Sequence, residues 1–240
     1  MRHDYTVFAA LKEITMQQYE VEIKTLLGSK ENAERLKSAL MKLYPDSTRV
    51  GYGKQLNHYF NTPSDISSFK KKIETIIPRD KKSAFENIMT AGKKISLRTR
   101  DSDGKVILVV KASVGDDTSS NGVKRIEFEA VLSQTLDELD ALVIDSGATY
   151  QAKWSREREE YASVDMHICI DKNAGYGYVA EFEKVISSPD ALETSRKELL
   201  SVMKKLGVEE LPQERLERMF AHYNNHWKEY YGTDKTFIIK

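Results

Sequence analysis

The chain has 240 residues, of which 40% are hydrophobic and 31% are charged, a balance typical of a globular protein that buries a sizeable core. Lysine plus arginine and aspartate plus glutamate each number 37, which excludes a net electric field that attracts nucleic acid or an anionic membrane. Any phosphate site must therefore be local. The single cysteine, Cys169, excludes an internal disulfide and a zinc site built from cysteines.

The sequence predicts a location in the reducing environment of the cytoplasm. It contains no apolar run near the roughly 20 residues that a membrane-spanning helix needs, and its N-terminus lacks the apolar core of a signal peptide. The lone cysteine fits the same compartment, because disulfides rarely persist there. We expect no membrane partner, and we leave a homodimer open.

The first half of the chain is predicted to alternate strands with helical segments. The predicted elements are a strand at about 18–25, a helix up to Pro45, a strand at about 49–61, a helical segment from Ser64 to Gly92, and a hairpin of residues 94–101 and 105–113. Asp103-Gly104 has the sequence of a tight hairpin turn. Because the helical segment at about 64–92 lies between two strands, we interpret it as an insertion.

The second half is predicted to contain more strands. A flexible loop from Gly115 to Gly122 leads into a strand at 123–132, a helix at about 134–143, strands at roughly 148–161, 163–172 and 177–187, and C-terminal helices at about 189–230. No segment has the composition of a linker, so we expect a single domain over residues 1–240. The order is not a regular βαβ alternation. It indicates an α+β protein, an antiparallel β-barrel with helices packed outside.

Charged residues recur at every second position in six short segments, and most of the intervening residues are apolar. The segments are 20–24, 98–100, 125–129, 156–158, 165–171 and 181–183. Residues two apart in a strand point to the same face, so most of these strands are predicted to bury one face and present charges on the other. A solvated face of an antiparallel sheet gives the same alternation.

The charges are sorted by type, which weakens the interpretation as a solvated face. Glutamate pairs occupy some strands and arginine pairs occupy others, with little of the mixed polar composition expected next to water. If the sheet closes on itself, glutamates that face one another need cations between them, and the arginines need an anion. A polyphosphate with divalent metal ions satisfies both, because carboxylates bind hard cations and guanidinium groups bind phosphate oxygens.

Several motifs, in this order, resemble the CYTH family, the triphosphate tunnel metalloenzymes. Glu20-Val21-Glu22-Ile23-Lys24 matches the opening ExExK signature, and Gln55 to Pro63 is similar to the YFDTP segment, most of all to that of the inorganic triphosphatase branch. The further matches are Leu97 to Arg100 with LRxR, Lys111 with the lysine of the following strand, Glu127 and Glu129 with the central ExE, Arg156 to Tyr161 with (K/R)xRxxY, and Asp171 to Glu183 with the terminal D…GxxxExE segment. Three features depart from the family pattern: Asn61 replaces the common aspartate, Arg156 stands where lysine is frequent, and the segment 64–92 is longer than usual.

The resemblance implies a closed eight-stranded antiparallel tunnel that binds a linear triphosphate with Mg²⁺ or Mn²⁺. Family members hydrolyse inorganic triphosphate, thiamine triphosphate or RNA 5′-triphosphate ends, and a class IV adenylyl cyclase branch converts ATP to cyclic AMP and pyrophosphate. The fold does not settle the reaction. We expect hydrolysis of the terminal phosphoanhydride of inorganic triphosphate or a small organic triphosphate. Cyclisation and non-catalytic binding of polyphosphate or nucleotide are the alternatives, and an RNA 5′-triphosphate end is the one nucleic-acid partner left open.

The charged pairs supply the predicted site residues. Divalent metal ions are expected on carboxylates, because these supply the oxygen ligands that Mg²⁺ prefers: Glu20, Glu22, Glu127, Glu129, Asp171, Glu181 and Glu183. The phosphates are expected on cations that stabilise the charge of the transferred phosphoryl group: Lys24, Arg98, Arg100, Lys111, Arg156 and Arg158. The predicted catalytic set is Glu20, Glu22, Lys24, Glu181 and Glu183. Ordinary surface glutamates, salt bridges between the two sets, and a turn-capping role for Asp171 are the alternatives.

Other prominent side chains are interpreted as structural. His58 and His167 are expected to be partly buried and hydrogen-bonded rather than in contact with substrate. Cys169 is expected to fill the core or the wall of the barrel. The aromatic residues of the C-terminal helix, among them Tyr223 and Trp227, are expected to pack against the barrel or a second subunit, with a ligand platform as the alternative.

Overall fold

The computed structural model describes residues 19–113, 125–163 and 166–239. The strands in this part of the chain are β1 (Tyr19–Gly28), β2 (Thr48–Asn61), β3 (Lys93–Ser102), β4 (Lys105–Ser113), β5 (Arg125–Leu132), β6 (Thr149–Ser163), β7 (Met166–Asn173) and β8 (Gly177–Ile186). The α-helices are α1 (Lys30–Leu43), α2 (Ile66–Ile73), α3 (Lys82–Ala91), α4 (Leu136–Asp145), α5 (Leu192–Lys205) and α6 (Gln213–Tyr230). Two 3₁₀ turns, Arg79–Lys81 and Pro189–Ala191, precede α3 and α5. The predicted loop from Gly115 to Gly122 and the predicted strand residue Asp165 lie outside the described residues.

The eight strands form one antiparallel sheet in the order β1-β8-β7-β6-β2-β3-β4-β5. Every neighbouring pair in this order is antiparallel. Together with the helices, this sheet confirms the prediction of an α+β protein with eight antiparallel strands. Helices α2 and α3 occupy the segment between β2 and β3 that the sequence marks as helical.

The two edge strands, β1 and β5, contact each other without forming a ladder. The Lys111 Nζ on β4 lies 3.6 Å from the Glu20 Oε2 on β1, so one ion pair joins the two ends of the sheet. No strand pairing between β1 and β5 exists among the described residues, which include both strands. The predicted closure into a barrel is therefore not confirmed.

One face of the sheet is apolar and is covered by helices; we call it the helix-covered face. At the β1 end of the sheet, Val21 and Ile23 are fully buried against Leu36 and Leu40 of α1 and Leu199 of α5. These helix positions recur at the 3–4-residue spacing of an amphipathic helix, while the strand positions recur at the spacing of two. The alternation in the sequence thus selects which face of each strand the helices cover.

The other end of the sheet buries a second apolar cluster. Leu108 of β4 and Phe128 of β5 pack with Phe85 of α3 and Leu139 of α4. The Phe85 and Phe128 rings are 5.3 Å apart, centroid to centroid. Apolar burial of this kind is the dominant stabilising term in folding, so the helix-covered face provides the core on which the opposite face is built.

Local signals fix the ends of the elements. The Ser29 side chain accepts a hydrogen bond from the Asn32 backbone N–H at the start of α1, and Thr135 forms a capping box with Glu138 at the start of α4. Asp103 and Gly104 both have positive φ, 50° and 84°, as a two-residue hairpin turn of the right twist requires. This turn sets the register in which β3 pairs with β4.

Among the described helices, none combines the length and the apolar composition that crossing a membrane requires.

Candidate functional site

The sequence-predicted site residues all project from the face of the sheet opposite the helix-covered face; we call it the charged face. They alternate along their strands with residues buried under the helices, as in β1, where Glu20, Glu22 and Lys24 alternate with Val21 and Ile23. Cross-strand ion pairs then connect them from one strand to the next. The sheet thereby gathers charges that are more than 150 residues apart in sequence onto one surface.

One half of the charged face is organised around the buried Asp171 of β7. Arg158 of β6 donates from Nε and Nη2 to the two Asp171 carboxylate oxygens, both at 2.7 Å, in a bidentate pair. Arg156 Nη1 also donates to Asp171, at 2.9 Å, and Arg158 contacts Glu181 of β8. Asp171 is 1% exposed, so a capping role at the chain surface does not describe it.

Glu181 links this half to β1. The Lys24 Nζ lies 3.3 Å from Glu181 Oε1, and Lys24 also contacts Glu22 two residues earlier. Burial opposes the ionisation of Glu181, but Lys24, Arg158 and Arg156 hold its pKa well below the usual value. Burial likewise opposes the charge of Arg158, whereas Asp171 and Glu181 raise its pKa well above the usual value.

The other half of the charged face lies on β2 to β5. Arg100 Nη1 of β3 is 3.0 Å from Glu129 Oε1 of β5, and Arg100 Nε donates to the Asn57 Oδ1 of β2 at 2.8 Å. Lys111 of β4 contacts Glu127 of β5 at 2.8 Å. Burial opposes the ionisation of Glu127, but Lys111 and Arg98 lower its pKa. Salt bridges between the predicted metal and phosphate residues thus exist across the whole face.

Glu183 of β8 differs from Glu127 and Glu181 because its pKa is raised rather than lowered. Burial and the nearby Glu20 carboxylate raise its pKa to about 7, although His167 and Lys111 act in the opposite direction. Glu22 is the direct cross-strand partner of Glu183, so two carboxylates meet here on neighbouring strands. A cation bound at this point would relieve the repulsion.

Arg98 of β3 carries an unused hydrogen-bond donor. Its Nε–H is buried and has no hydrogen-bond partner within the described part of the chain. The guanidinium lies 4.7 Å from the centre of the Tyr59 ring on β2, in a cation–π contact. Burial raises the pKa of the Tyr59 phenol, but Arg98, Arg156 and Arg100 outweigh it and lower that pKa, which reflects the excess positive charge at this point. An anion with oxygen acceptors would complete the hydrogen bonding of Arg98.

The donor set of the charged face fits a hard divalent cation in its chemistry. The available ligands are carboxylate oxygens, which Mg²⁺ and Mn²⁺ prefer, and Glu183 and Glu22 present two of these carboxylates from directly opposite positions on neighbouring strands. Within residues 19–113, 125–163 and 166–239, no three histidine, cysteine or acidic side chains already surround a common point at ligand distance.

Several residues of the charged face were not predicted from the sequence. Gln55 accepts a hydrogen bond from Arg156 Nε at 2.8 Å, and Asn57 and Tyr59 contact the arginines of β3 as described above. Gln55, Asn57 and Tyr59 lie two residues apart along β2 and therefore share one face of the strand. Once that face is known to be the charged face, this spacing identifies them as members of it. Glu160 of β6 is a further unpredicted member, with its Oε2 3.6 Å from His167 Nε2.

The residues interpreted as structural have the following positions. His58 is 2% exposed and hydrogen-bonded on both ring nitrogens, which confirms its interpretation as a buried, satisfied histidine. Cys169 is buried, and burial raises the pKa of its thiol. Tyr223 of α6 is fully buried and stacks on Trp154 of β6 with ring centroids 3.5 Å apart, so packing against the sheet is confirmed for this helix.

Comparison with known proteins agrees with this arrangement. The family model of the CYTH domain matches residues 18–215. A search of curated protein sequences found no match. Among solved structures, a conserved hypothetical protein of Pyrococcus furiosus is 20% identical with a TM-score of 0.57, and the match covers 79% of this chain and 91% of that protein. A proposed adenylate cyclase of Vibrio parahaemolyticus is 15% identical with a TM-score of 0.57, over 85% of this chain and 98% of that protein. The two structures establish a shared fold, and the family model, which spans most of the sequence, establishes that the chain belongs to the CYTH domain family.

Proposed function

We propose that the protein is a metal-dependent hydrolase that cleaves the terminal phosphoanhydride of inorganic triphosphate or a small organic triphosphate on its charged face. The observation that carries the proposal is the buried Nε–H of Arg98, which has no hydrogen-bond partner among the described residues. It lies among other arginines on the same surface as Glu183, whose pKa is raised. A triphosphate accompanied by a divalent cation supplies an acceptor for Arg98 and positive charge beside Glu183. Membership of the CYTH domain family supports the same class of chemistry.

The cations of the charged face would bind the phosphate chain. Arg98, Arg100, Arg156 and Arg158 present guanidinium groups that can each bind two phosphate oxygens, and Lys24 and Lys111 add point charges. All of them sit on strands of one sheet, so their positions are fixed before the substrate arrives. Fixed cations stabilise the negative charge that spreads over the oxygens of the transferred phosphoryl group.

The metal ion would be held by Glu20, Glu22, Glu181 and Glu183, with Glu127, Glu129 and Asp171 as further candidate ligands. A bound Mg²⁺ or Mn²⁺ neutralises phosphate charge and lowers the pKa of bound water. In this chain Lys24 and Arg158 already hold Glu181 ionised, which is the form that a metal ligand needs. Asp171, by contrast, is occupied by two arginines, and its main contribution is to orient them.

We further propose that the charged face lines a tunnel that β1 and β5 complete. The Lys111 to Glu20 contact supports this, since it links β1 to β4, the neighbour of β5, through groups assigned to phosphate and metal. A triphosphate with its cations would strengthen this link by binding groups at both ends of the sheet at once.

The test is a product assay on the purified protein with Mg²⁺ or Mn²⁺ and either inorganic triphosphate, thiamine triphosphate or ATP. We expect orthophosphate release, and its loss in Arg98→Gln. Arg49→Gln is the matched control, because Arg49 is an exposed arginine on β2 outside the charged face. Formation of cyclic AMP and pyrophosphate from ATP would instead identify the protein as an adenylyl cyclase, the activity proposed for the Vibrio parahaemolyticus protein. Saturable binding without turnover would identify it as a sensor.

A further inference from the structure

A buried polar cluster lies on the helix-covered face, directly behind the arginines of β3. Its centre is Asp140 of α4. Thr99 Oγ1 donates to Asp140 Oδ1 at 2.5 Å, and the His58 Nδ1 and Tyr150 OH each lie 2.6 Å from Oδ2. Lys153 Nζ is 3.7 Å from the same oxygen. We call these five residues the Asp140 cluster.

The centre of the Asp140 cluster is buried, whereas Tyr150 and Lys153 at its edge are partly exposed. Asp140 and His58 are each 2% exposed, and Thr99 is 0% exposed. Burial opposes the ionisation of Asp140, but hydrogen bonds from His58, Thr99 and Tyr150 lower the pKa of its carboxyl. A buried carboxylate destabilises the folded protein unless each of its oxygens accepts hydrogen bonds. Displacing a residue that donates to Asp140 would therefore be unfavourable.

The register of the sheet places this cluster against the arginine row. Thr99 of β3, His58 of β2 and Lys153 of β6 are cross-strand neighbours in one row. The residues on either side of Thr99 are Arg98 and Arg100, which project from the opposite, charged face. On the helix-covered face, Asp140 therefore hydrogen-bonds to β2 through His58 and to β3 through Thr99, and β3 carries those two arginines on the charged face.

The arginines need such an anchor because they repel one another. Arg98 and Arg100 lie two residues apart on the same face of β3, so their like charges are held close together. The backbone ladder fixes the register of β3 on β2, but it does not fix where α4 lies on these strands. Apolar packing of α4 through Leu139 and Val143 is non-directional, whereas the short hydrogen bonds from Thr99 and His58 to the Asp140 carboxylate are directional and tie α4 to both strands.

We propose that Asp140 is a positioning residue: through Thr99 of β3 and His58 of β2 it anchors these two strands, so that Arg98 and Arg100 on β3 keep the placement relative to Arg156 on β6 that a triphosphate requires. The inference rests on the proposed function and goes beyond it, since Asp140 lies on the other side of the sheet from the substrate. It acts through the arginines rather than by contact with the reacting atoms.

The experiment compares steady-state kinetics of the Mg²⁺-loaded protein with inorganic triphosphate for four single variants. Asp140→Asn and Thr99→Val remove the anchoring, Thr99→Ser keeps the hydroxyl, and Leu139→Ala removes a neighbouring fully buried side chain without touching the hydrogen bonds. If Asp140→Asn fails to fold, Thr99→Val still tests the hydrogen bond between Thr99 and Asp140, because valine has a shape similar to that of threonine. All are measured at a temperature at which circular dichroism shows them folded.

We expect Thr99→Val and Asp140→Asn to lower kcat/KM by at least about tenfold, mainly through KM, because a small displacement of binding groups has effects of this order. Thr99→Ser should stay within about twofold of wild type, and Leu139→Ala should lower the melting temperature while keeping KM within about twofold.

An unchanged KM in Thr99→Val, or an equal rise of KM in Leu139→Ala, would overturn the positioning role while leaving the proposed function standing. Absence of both turnover and triphosphate binding in the wild-type protein would instead overturn the two together.

Discussion

The raised pKa of Glu183 leads to a quantitative prediction about folding stability. In the unfolded chain the carboxyl has its ordinary pKa of 4.5, and in the folded protein burial and Glu20 raise it to about 7. The folded protein therefore binds a proton more tightly than the unfolded chain does. Ionisation of Glu183 therefore lowers the free energy of unfolding as the pH rises from 4.5 to 7, and the full reduction is present above pH 7.

The magnitude follows from the two pKa values. One pKa unit corresponds to about 1.36 kcal/mol, so ionised Glu183 costs the folded protein about 3 kcal/mol at pH 8 and less than about 1 kcal/mol at pH 5. Glu183→Gln has no charge to ionise and keeps the shape of the side chain. We expect it to raise the free energy of unfolding by up to about 3 kcal/mol at pH 8 and by much less at pH 5.

The assay is urea unfolding of both proteins at pH 5 and pH 8 in buffer with a chelator, so that no divalent cation compensates the charge. Glu209→Gln is the matched control, since Glu209 is exposed and its substitution should change stability by less than about 0.5 kcal/mol at either pH. An equal effect of Glu183→Gln at both pH values, or a loss of stability at pH 8, would refute the assignment of Glu183 as a carboxylate with a raised pKa.

Three further predictions concern the charged face and its supports. Glu22→Gln should abolish phosphate release with Mg²⁺ while leaving the circular dichroism spectrum unchanged; near-wild-type turnover would falsify its assignment as a metal ligand. Asp171→Ala should lower the free energy of unfolding by about 3–5 kcal/mol in urea, because it leaves Arg156 and Arg158 without their shared buried partner, and a change below about 1 kcal/mol would contradict this. Gly175→Ala should lower the melting temperature, because Gly175 has a φ of +83° and an added Cβ would lie 2.6 Å from the Tyr223 ring; a stability equal to wild type would mean that α6 is held by other contacts.

The sequence predicted the elements and their faces well because both depend on local spacing. In β1 the apolar Val21 and Ile23 alternate with Glu20, Glu22 and Lys24, and a strand can satisfy that pattern in only one orientation relative to a core. The Asp103-Gly104 turn and the capping residues of α1 and α4 are likewise local signals. The motifs also sufficed to identify the family, which the family model confirms.

The sequence did not predict how the charges pair. Arg158 and Arg156 share Asp171, the Arg98 Nε–H has no hydrogen-bond partner in the described part of the chain, and the pKa of Glu183 is raised. These outcomes depend on cross-strand register and burial, which residues distant in the chain decide together. The Asp140 cluster is the clearest case, because nothing in the helix around Asp140 indicates that its carboxylate binds Thr99 and His58.

The sequence by itself therefore determined the eight strands, the face of each that carries charge, and the family, because periodicity and short motifs are properties of contiguous residues. Only the tertiary structure decided which charges neutralise one another, which remain available to a ligand, and that β1 and β5 approach without pairing. The physical reason is that electrostatic energies depend on distance and burial in three dimensions, and neither is encoded by spacing along the chain.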